Sequence, residues 1–127
     1  MAARFSELTI DSTDPATLAR WWSDVLGYNV TDDDDDAVEI AGPPGSGPTI
    51  VFAPVPEKKM IKNRLHIDLS PTDRDQGEEL ERLLGLGARR ADVGQAEDVT
   101  WVVLTDPEGN EFCLLRTRRE AWGRAVQ

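Results

Sequence analysis

Short stretches of alternating apolar and polar residues run along the chain and are interrupted by two amphipathic segments. Phe5 to Asp11 alternates in this way, which predicts a strand with one buried face. Ser12-Thr13-Asp14-Pro15 follows and combines capping residues with a proline, and apolar residues then recur at a spacing of three and four up to Leu26. This spacing predicts an amphipathic helix, which Gly27 ends.

The second half of the chain repeats this order. Arg64 to Leu69 alternates, a capping cluster that ends in Asp73 starts a second helix, and Gly87 ends that helix. After each helix, short apolar stretches between turn residues predict three more strands. In the first half they are Tyr28 to Thr31, Ala37 to Ile40 and Thr49 to Ala53, and in the second Ala88 to Val93, Thr100 to Thr105 and Asn110 to Leu115.

The repeat predicts an α+β fold of two tandem βαβββ modules within one domain. The first module covers about residues 4–55 and the second about 62–116, and residues 117–127 form a basic tail. Two half-sized copies of one unit usually pair about a pseudo-twofold axis, so we expect their sheets to enclose a cleft.

The repeat also singles out two residues that we expect to face the cleft. Matching Asp73 to Asp14 and counting back seven residues from each gives Glu7 in the first module and His66, the only histidine, in the second. A carboxylate and an imidazole at equivalent positions suit a metal site or acid/base chemistry. A histidine beside an aspartate is equally often a simple hydrogen-bonded pair, so both interpretations stay open here.

Composition and charge exclude several kinds of binding partner. The formal net charge of −10 repels nucleic acid and anionic membrane surfaces, and half of it comes from Asp32 to Asp36, which we interpret as a solvated turn. No apolar run is long enough for a membrane span or a signal peptide, and the single cysteine, Cys113, agrees with a reducing compartment. We therefore expect a cytoplasmic protein with a small-molecule ligand.

Several motifs along the chain occur together in one known group of proteins. They are Asp14-Pro15, Trp21-Trp22, Leu26-Gly27, His66-Ile67-Asp68-Leu69 and Asp106-Pro107-Glu108-Gly109-Asn110-Glu111-Phe112. In combination they resemble the glyoxalase/bleomycin-resistance/extradiol-dioxygenase group, the vicinal oxygen chelate superfamily, and more narrowly its small bacterial glyoxalase-like domains. The resemblance extends from about Phe5 to Leu115 and is more specific for the fold than for the reaction, because one fold hosts many functions.

The resemblance implies where a divalent metal would bind. Its metal-dependent members take one ligand from the start of the first strand of each half and a glutamate from the last strand, and these slots hold Glu7, His66 and Cys113 here. A thiolate can bind zinc, and Glu111 lies on the same face as Cys113 and can substitute for it. A fourth slot falls near Phe52, which is not a ligand. The departures favour a metal-free site over a bound metal.

The resemblance also implies a reaction class. It suggests a lyase or isomerase acting on a small carbonyl compound, with His66 as base or ligand and Glu7 or Glu111 as the second acid/base group. The remaining candidates for ligand contacts are Trp22, Phe52, Asp68, Trp101 and Cys113. The alternatives are a protein that binds or sequesters a small molecule or drug without chemistry, and a structural dimer with an empty cleft. A homodimer is compatible with all three.

Overall fold

The computed structural model describes residues 2–34, 36–92, 94 and 99–116. The predicted tail at 117–127 lies outside the described residues. The chain divides into two compact units, Met1–Lys59 and Met60–Gln127, and the division falls in the connection between the two predicted modules.

Unit one contains one helix and a four-stranded sheet. Its elements are β1 (Glu7–Ser12), α1 (Pro15–Leu26), β2 (Asn29–Asp33), β3 (Val38–Ala41) and β4 (Thr49–Pro54). The first two aspartates of the predicted turn, Asp32 and Asp33, are thus exposed strand residues that pair with β3. The strand order is β1-β4-β3-β2, with β1 parallel to β4 and the other neighbours antiparallel.

The helix α1 begins and ends where the sequence predicts. The Asp14 side chain accepts a hydrogen bond from the Thr17 N–H, Pro15 occupies the first turn, and Gly27 ends the helix at a φ of 70°. Only a residue without Cβ adopts this left-handed conformation at little cost. The tryptophan pair of α1 packs edge to face with a centroid separation of 5.2 Å.

The two faces of the first sheet differ in burial. Ile10 and Phe52 are register partners and lie on the face that α1 covers, where Phe52 is fully buried. Glu7, Thr9 and Asp11 alternate with these residues, lie on the opposite face and are exposed.

Unit two has the same order of elements. They are β5 (Ile67–Leu69), α2 (Gln76–Leu86), β6 (Arg89–Arg90), β7 (Val102–Thr105) and β8 (Glu111–Leu114), with the sheet order β5-β8-β7-β6. The strand β5 is parallel to β8, as β1 is to β4. The prediction of two tandem βαβββ modules and an α+β fold is thus confirmed.

Several element boundaries in unit two differ from the prediction. Among the described residues, the strand expected over Ala88 to Val93 spans only Arg89–Arg90, and the strand expected from Thr100 starts at Val102. The strand predicted from Arg64 begins only at Ile67, and Leu65, expected on the buried face, is 81% exposed. The N-cap of α2 is Asp75 rather than Asp73, because Asp75 and Glu78 form a reciprocal capping box while the Asp73 carboxylate accepts a hydrogen bond from Arg74.

Neither α1 nor α2 has the length and apolar character that crossing a membrane requires.

Candidate functional site

The sheet of unit two has one face that carries the candidate chemistry. Asp68 on β5, Cys113 on β8 and Val103 on β7 are register partners and therefore point to the same side. The next residues along each strand, which include the buried Phe112 and Leu104, point to the other side. The site residues are therefore separated from this apolar side by the sheet itself.

His66 lies directly before β5 and contacts the carboxylate of Asp68. The His66 Nε2 and Asp68 Oδ1 atoms are 3.1 Å apart, and the two side chains are 44% and 49% exposed. A carboxylate only accepts hydrogen bonds, so a hydrogen bond between these two atoms requires the proton on Nε2. In the neutral imidazole, Nδ1 then has the free lone pair and is the basic atom of the pair.

Cys113 contacts the same carboxylate from β8. Burial raises the pKa of the Cys113 thiol to about 11, and the charge of Asp68 and its hydrogen bond to the thiol act in the same direction, while the nearby Lys62 ammonium opposes them. At neutral pH the thiol therefore keeps its proton and donates to Asp68. A thiol of this kind is a poor nucleophile, because the thiolate is the reactive form.

These three residues can hold a metal ion. One ligand atom each from His66, Asp68 and Cys113 lies within 4.8 Å of the others. Ligand atoms around a tetrahedral zinc are about 3.5 Å apart, so side-chain movements of about 1 Å would close the site. Nitrogen, oxygen and sulfur donors suit zinc better than manganese or magnesium. Among the described residues, the group thus fits a soft divalent cation.

This donor set differs from the predicted one, which was Glu7, His66 and Cys113. Asp68, which we predicted only as a ligand contact, is the carboxylate next to the other two. Glu7 begins β1 in unit one and is exposed. Its role as a metal ligand or acid/base group stays a sequence-based prediction.

The predicted equivalence of Glu7 and His66 is not reproduced by the strand register. In each unit, the residue just after the last strand donates a backbone hydrogen bond to the final residue of the first strand. That residue is Ser12 in β1 and Leu69 in β5, so these two positions are equivalent. Counting back three residues from these positions gives Thr9 and His66. The prediction failed because Ser12 lies two residues before the helix cap Asp14, whereas Leu69 lies six residues before the helix cap Asp75. Counting back from the helix starts therefore does not match equivalent strand positions.

Glu111 lies on the same face as Cys113, as predicted, but its carboxylate is already engaged. The Glu111 Oε1 atom accepts a hydrogen bond from the backbone N–H of Asn63 at 2.9 Å. This contact fixes the segment before His66.

Of the three aromatic candidates, two lie in the core of unit one. Trp22 is 1% exposed and Phe52 is fully buried, both on the α1 side of the sheet and thus opposite Glu7. The roles of Trp22 and Phe52 as ligand contacts stay sequence-based predictions. Trp101 is 40% exposed and lies two residues before Val103, the register partner of Cys113.

Sequence reasoning missed the residues that organise this face. Asn63 and Asn110 are hydrogen-bonded to each other 47 positions apart, and no local pattern predicts such a contact. The one available signal was the alternation of His66 and Asp68, which places both side chains on one side.

Comparison with protein families gives a match over most of the chain. The model of the glyoxalase-like domain matches residues 7–115. No curated protein matches the chain.

Several solved structures share the fold at low sequence identity. The fosfomycin resistance protein FosX from Listeria monocytogenes, complexed with Mn(II) and sulfate, is 14% identical with a TM-score of 0.73, and 94% of each chain is covered. FosX from Mesorhizobium loti is 18% identical with a TM-score of 0.69, covering 94% of this chain and 96% of that one. A glyoxalase/bleomycin resistance protein/dioxygenase family enzyme from Burkholderia phytofirmans is 17% identical with a TM-score of 0.63, covering 86% and 94%.

Proposed function

Because the chain belongs to the glyoxalase-like domain family, we propose that it is a lyase or isomerase acting on a small carbonyl compound, with His66 as its acid/base group. The observation that carries the proposal is the 3.1 Å contact between His66 Nε2 and Asp68 Oδ1 on a half-exposed sheet face. An imidazole held by a carboxylate in one tautomer is the arrangement that general base catalysis uses.

The proposed step is a proton transfer at the carbon next to the carbonyl group. His66 Nδ1 takes the proton, and the charge of Asp68 stabilises the imidazolium that forms. The thiol of Cys113 stays protonated, donates a hydrogen bond to Asp68 and does not act as a nucleophile. A metal ion held by His66, Asp68 and Cys113 would supply Lewis-acid polarisation of the carbonyl oxygen, with His66 as its ligand instead of the base.

The test is exchange of substrate protons with solvent deuterium, followed by NMR. The panel consists of small hydroxyketones, 2-oxo acids and amides, incubated with the full chain. We expect His66→Ala to lower the exchange rate by about 100-fold and Asp68→Asn by about tenfold.

The matched control is Asp11→Asn. Asp11 is an exposed carboxylate that precedes Ser12 in β1 as Asp68 precedes Leu69 in β5, but Thr9 stands two positions before it where His66 stands before Asp68. Its exchange rate should equal that of the wild type. Exchange at the wild-type rate in His66→Ala, or a wild-type chain that exchanges no compound of the panel, would refute the proposal.

A second candidate is a protein that binds a small molecule or drug without chemistry. Its support is the neutral thiol of Cys113 at the position where the resemblance implies a glutamate ligand. Trp101 is half-exposed and would report a ligand on this face by its fluorescence, and fosfomycin belongs in the panel because FosX proteins share the fold. Saturable quenching that Trp101→Phe abolishes, without exchange or product, would favour this candidate.

The setting that we propose is the cytoplasm. The single cysteine agrees with a reducing compartment, and the net charge of −10 disfavours nucleic acid as a partner.

A further inference from the structure

The segment that carries His66 is held by hydrogen bonds rather than by apolar packing. Its three apolar side chains, those of Met60, Ile61 and Leu65, are 88%, 79% and 81% exposed. Among the described residues, this segment pairs with a neighbouring strand only from Ile67 onward. The position of the imidazole must therefore depend on polar contacts upstream of β5.

Asn63 makes these contacts, three residues before His66. Its backbone N–H donates to Glu111 Oε1 and its side-chain Nδ2 donates to Asn110 Oδ1, each at 2.9 Å. Two bonds from one residue to the start of β8 fix both the position and the orientation of the chain there.

The partner of Asn63 is itself fixed by a buried carboxylate. Asp106 is 4% exposed and accepts the backbone N–H groups of Glu108 and Asn110 at Oδ1 and the Asn110 Nδ2 at Oδ2, all at 2.9 Å. With its Nδ2 bound to Asp106, Asn110 presents Oδ1 to Asn63 in a defined orientation. The turn before β8 is thus a rigid anchor.

We propose that Asn63 and Glu111 are positioning residues that hold His66 against Asp68, and that Glu111 is not an acid/base group. Ser70 to Asp75 connects β5 to α2 on the other side of the imidazole, so β5 and Asn63 are the two fixed points on either side of His66. This inference concerns the same site as the proposed function and refines it, but the placement of the imidazole can be tested without a substrate.

Glutamine at position 111 separates the two roles of this residue. The amide of Glu111→Gln keeps an oxygen that accepts the Asn63 N–H but cannot transfer a proton, whereas Glu111→Ala loses the acceptor. A positioning residue tolerates glutamine, and an acid/base group does not.

The experiment follows the single imidazole by nitrogen-15 NMR, since His66 is the only histidine. Wild type and Glu111→Gln should both show the tautomer with the proton on Nε2. Glu111→Ala and Asn63→Ala should shift toward a mixture of tautomers, with unfolding midpoints within a few degrees of the wild type. Asn29→Ala, at an exposed asparagine of β2, is the control and should leave the imidazole signals unchanged.

Two results would overturn the inference. One is an unchanged imidazole spectrum in both alanine variants. The other is a Glu111→Gln variant that loses deuterium exchange as completely as Glu111→Ala. If Glu111→Ala fails to fold, Asn63→Ala still tests the positioning role of Asn63 through its side-chain bond to Asn110, and the exchange rate of Glu111→Gln still tests whether Glu111 is an acid/base group. Failure of the proposed reaction with intact tautomer shifts would leave the positioning role standing.

Discussion

The carboxylate of Asp68 is shared by two side chains, the imidazole of His66 and the thiol of Cys113. Asp68 accepts a hydrogen bond from the thiol, and its Oδ1 atom lies 3.1 Å from Nε2 of the imidazole. The negative charge of Asp68 raises the pKa of Cys113, because it disfavours the thiolate form. The imidazole and the thiol are therefore linked through one carboxylate, and removal of Asp68 should change the surroundings of both side chains.

The thiol should make stability depend on pH in alkaline solution. The pKa of Cys113 rises from 9.0 to about 11 on folding, so between these values the unfolded chain has lost a proton that the folded chain keeps. This contribution is complete below about pH 9 and is lost as the pH rises toward 11. In urea unfolding, Cys113→Ser should lose less stability than the wild type over this range, by at most about 3 kcal/mol. The prediction would be contradicted if the free energies of unfolding of Cys113→Ser and the wild type changed equally with pH over this range.

The cluster should also bind cobalt(II) as a spectroscopic substitute for zinc. We expect the full chain, freed of metal by a chelator, to develop the thiolate-to-cobalt absorption in the near ultraviolet. Cys113→Ser should lose this band, Asp68→Asn should bind at least about tenfold more weakly, and Asp11→Asn should match the wild type. A band that persists in Cys113→Ser would exclude the thiol as a ligand.

At the scale of single elements, the two helices differ in how well the sequence defines their start. In α1, Asp14 is followed by Pro15, which can only occupy the first turn, and the prediction is correct. In α2, several capping residues precede the helix, and the choice between Asp73 and Asp75 depends on Glu78 and on the pairing of Arg74. These contacts need the folded side chains and are not visible in a pattern.

The cap of α2 can be tested by a pair of matched substitutions. Asp75→Ala removes the acceptor of the Glu78 N–H and should lower the free energy of unfolding by about 1 kcal/mol. Asp73→Ala removes an exposed ion pair with Arg74 and should change the free energy of unfolding much less than Asp75→Ala does, because solvent screens exposed pairs. Equal losses in chemical denaturation would show that Asp75 is not the cap.

The site was less predictable than the helices. Alternation correctly put His66 and Asp68 on one side, and it correctly put Glu111 with Cys113. It also extended β5 back to Arg64, although the hydrogen bonds of Asn63 to β8 set the course of that segment. Contacts between residues nearly fifty positions apart follow from the fold and not from periodicity.

At the scale of the whole molecule, the repeat was the most informative feature of the sequence. Both units have a parallel pair of first and last strands and two antiparallel pairs, as two copies of one plan require. What the repeat did not provide was the residue-by-residue correspondence. The connection between β5 and α2 differs in length from the connection between β1 and α1. Counting back from the two helix caps therefore does not lead to equivalent residues of β1 and β5.

The net charge of −10 predicts a salt-dependent stability. Repulsion among the carboxylates opposes the compact state, so raising sodium chloride from about 20 mM to about 0.5 M should raise the thermal midpoint by a few degrees. Asp32→Asn with Asp33→Asn, two exposed positions of β2, should reduce this response. A midpoint that falls with salt would contradict the prediction.

The most direct test of the acid/base role of His66 is chemical rescue. His66→Ala creates a chain without any imidazole, so free imidazole added to the solution can replace only that group. We predict that the variant on its own exchanges substrate protons with deuterium about 100-fold more slowly than the wild type and regains part of the wild-type rate in a saturable manner as imidazole is added. An exchange rate that is unaffected by the substitution, or that imidazole does not restore, would contradict the account.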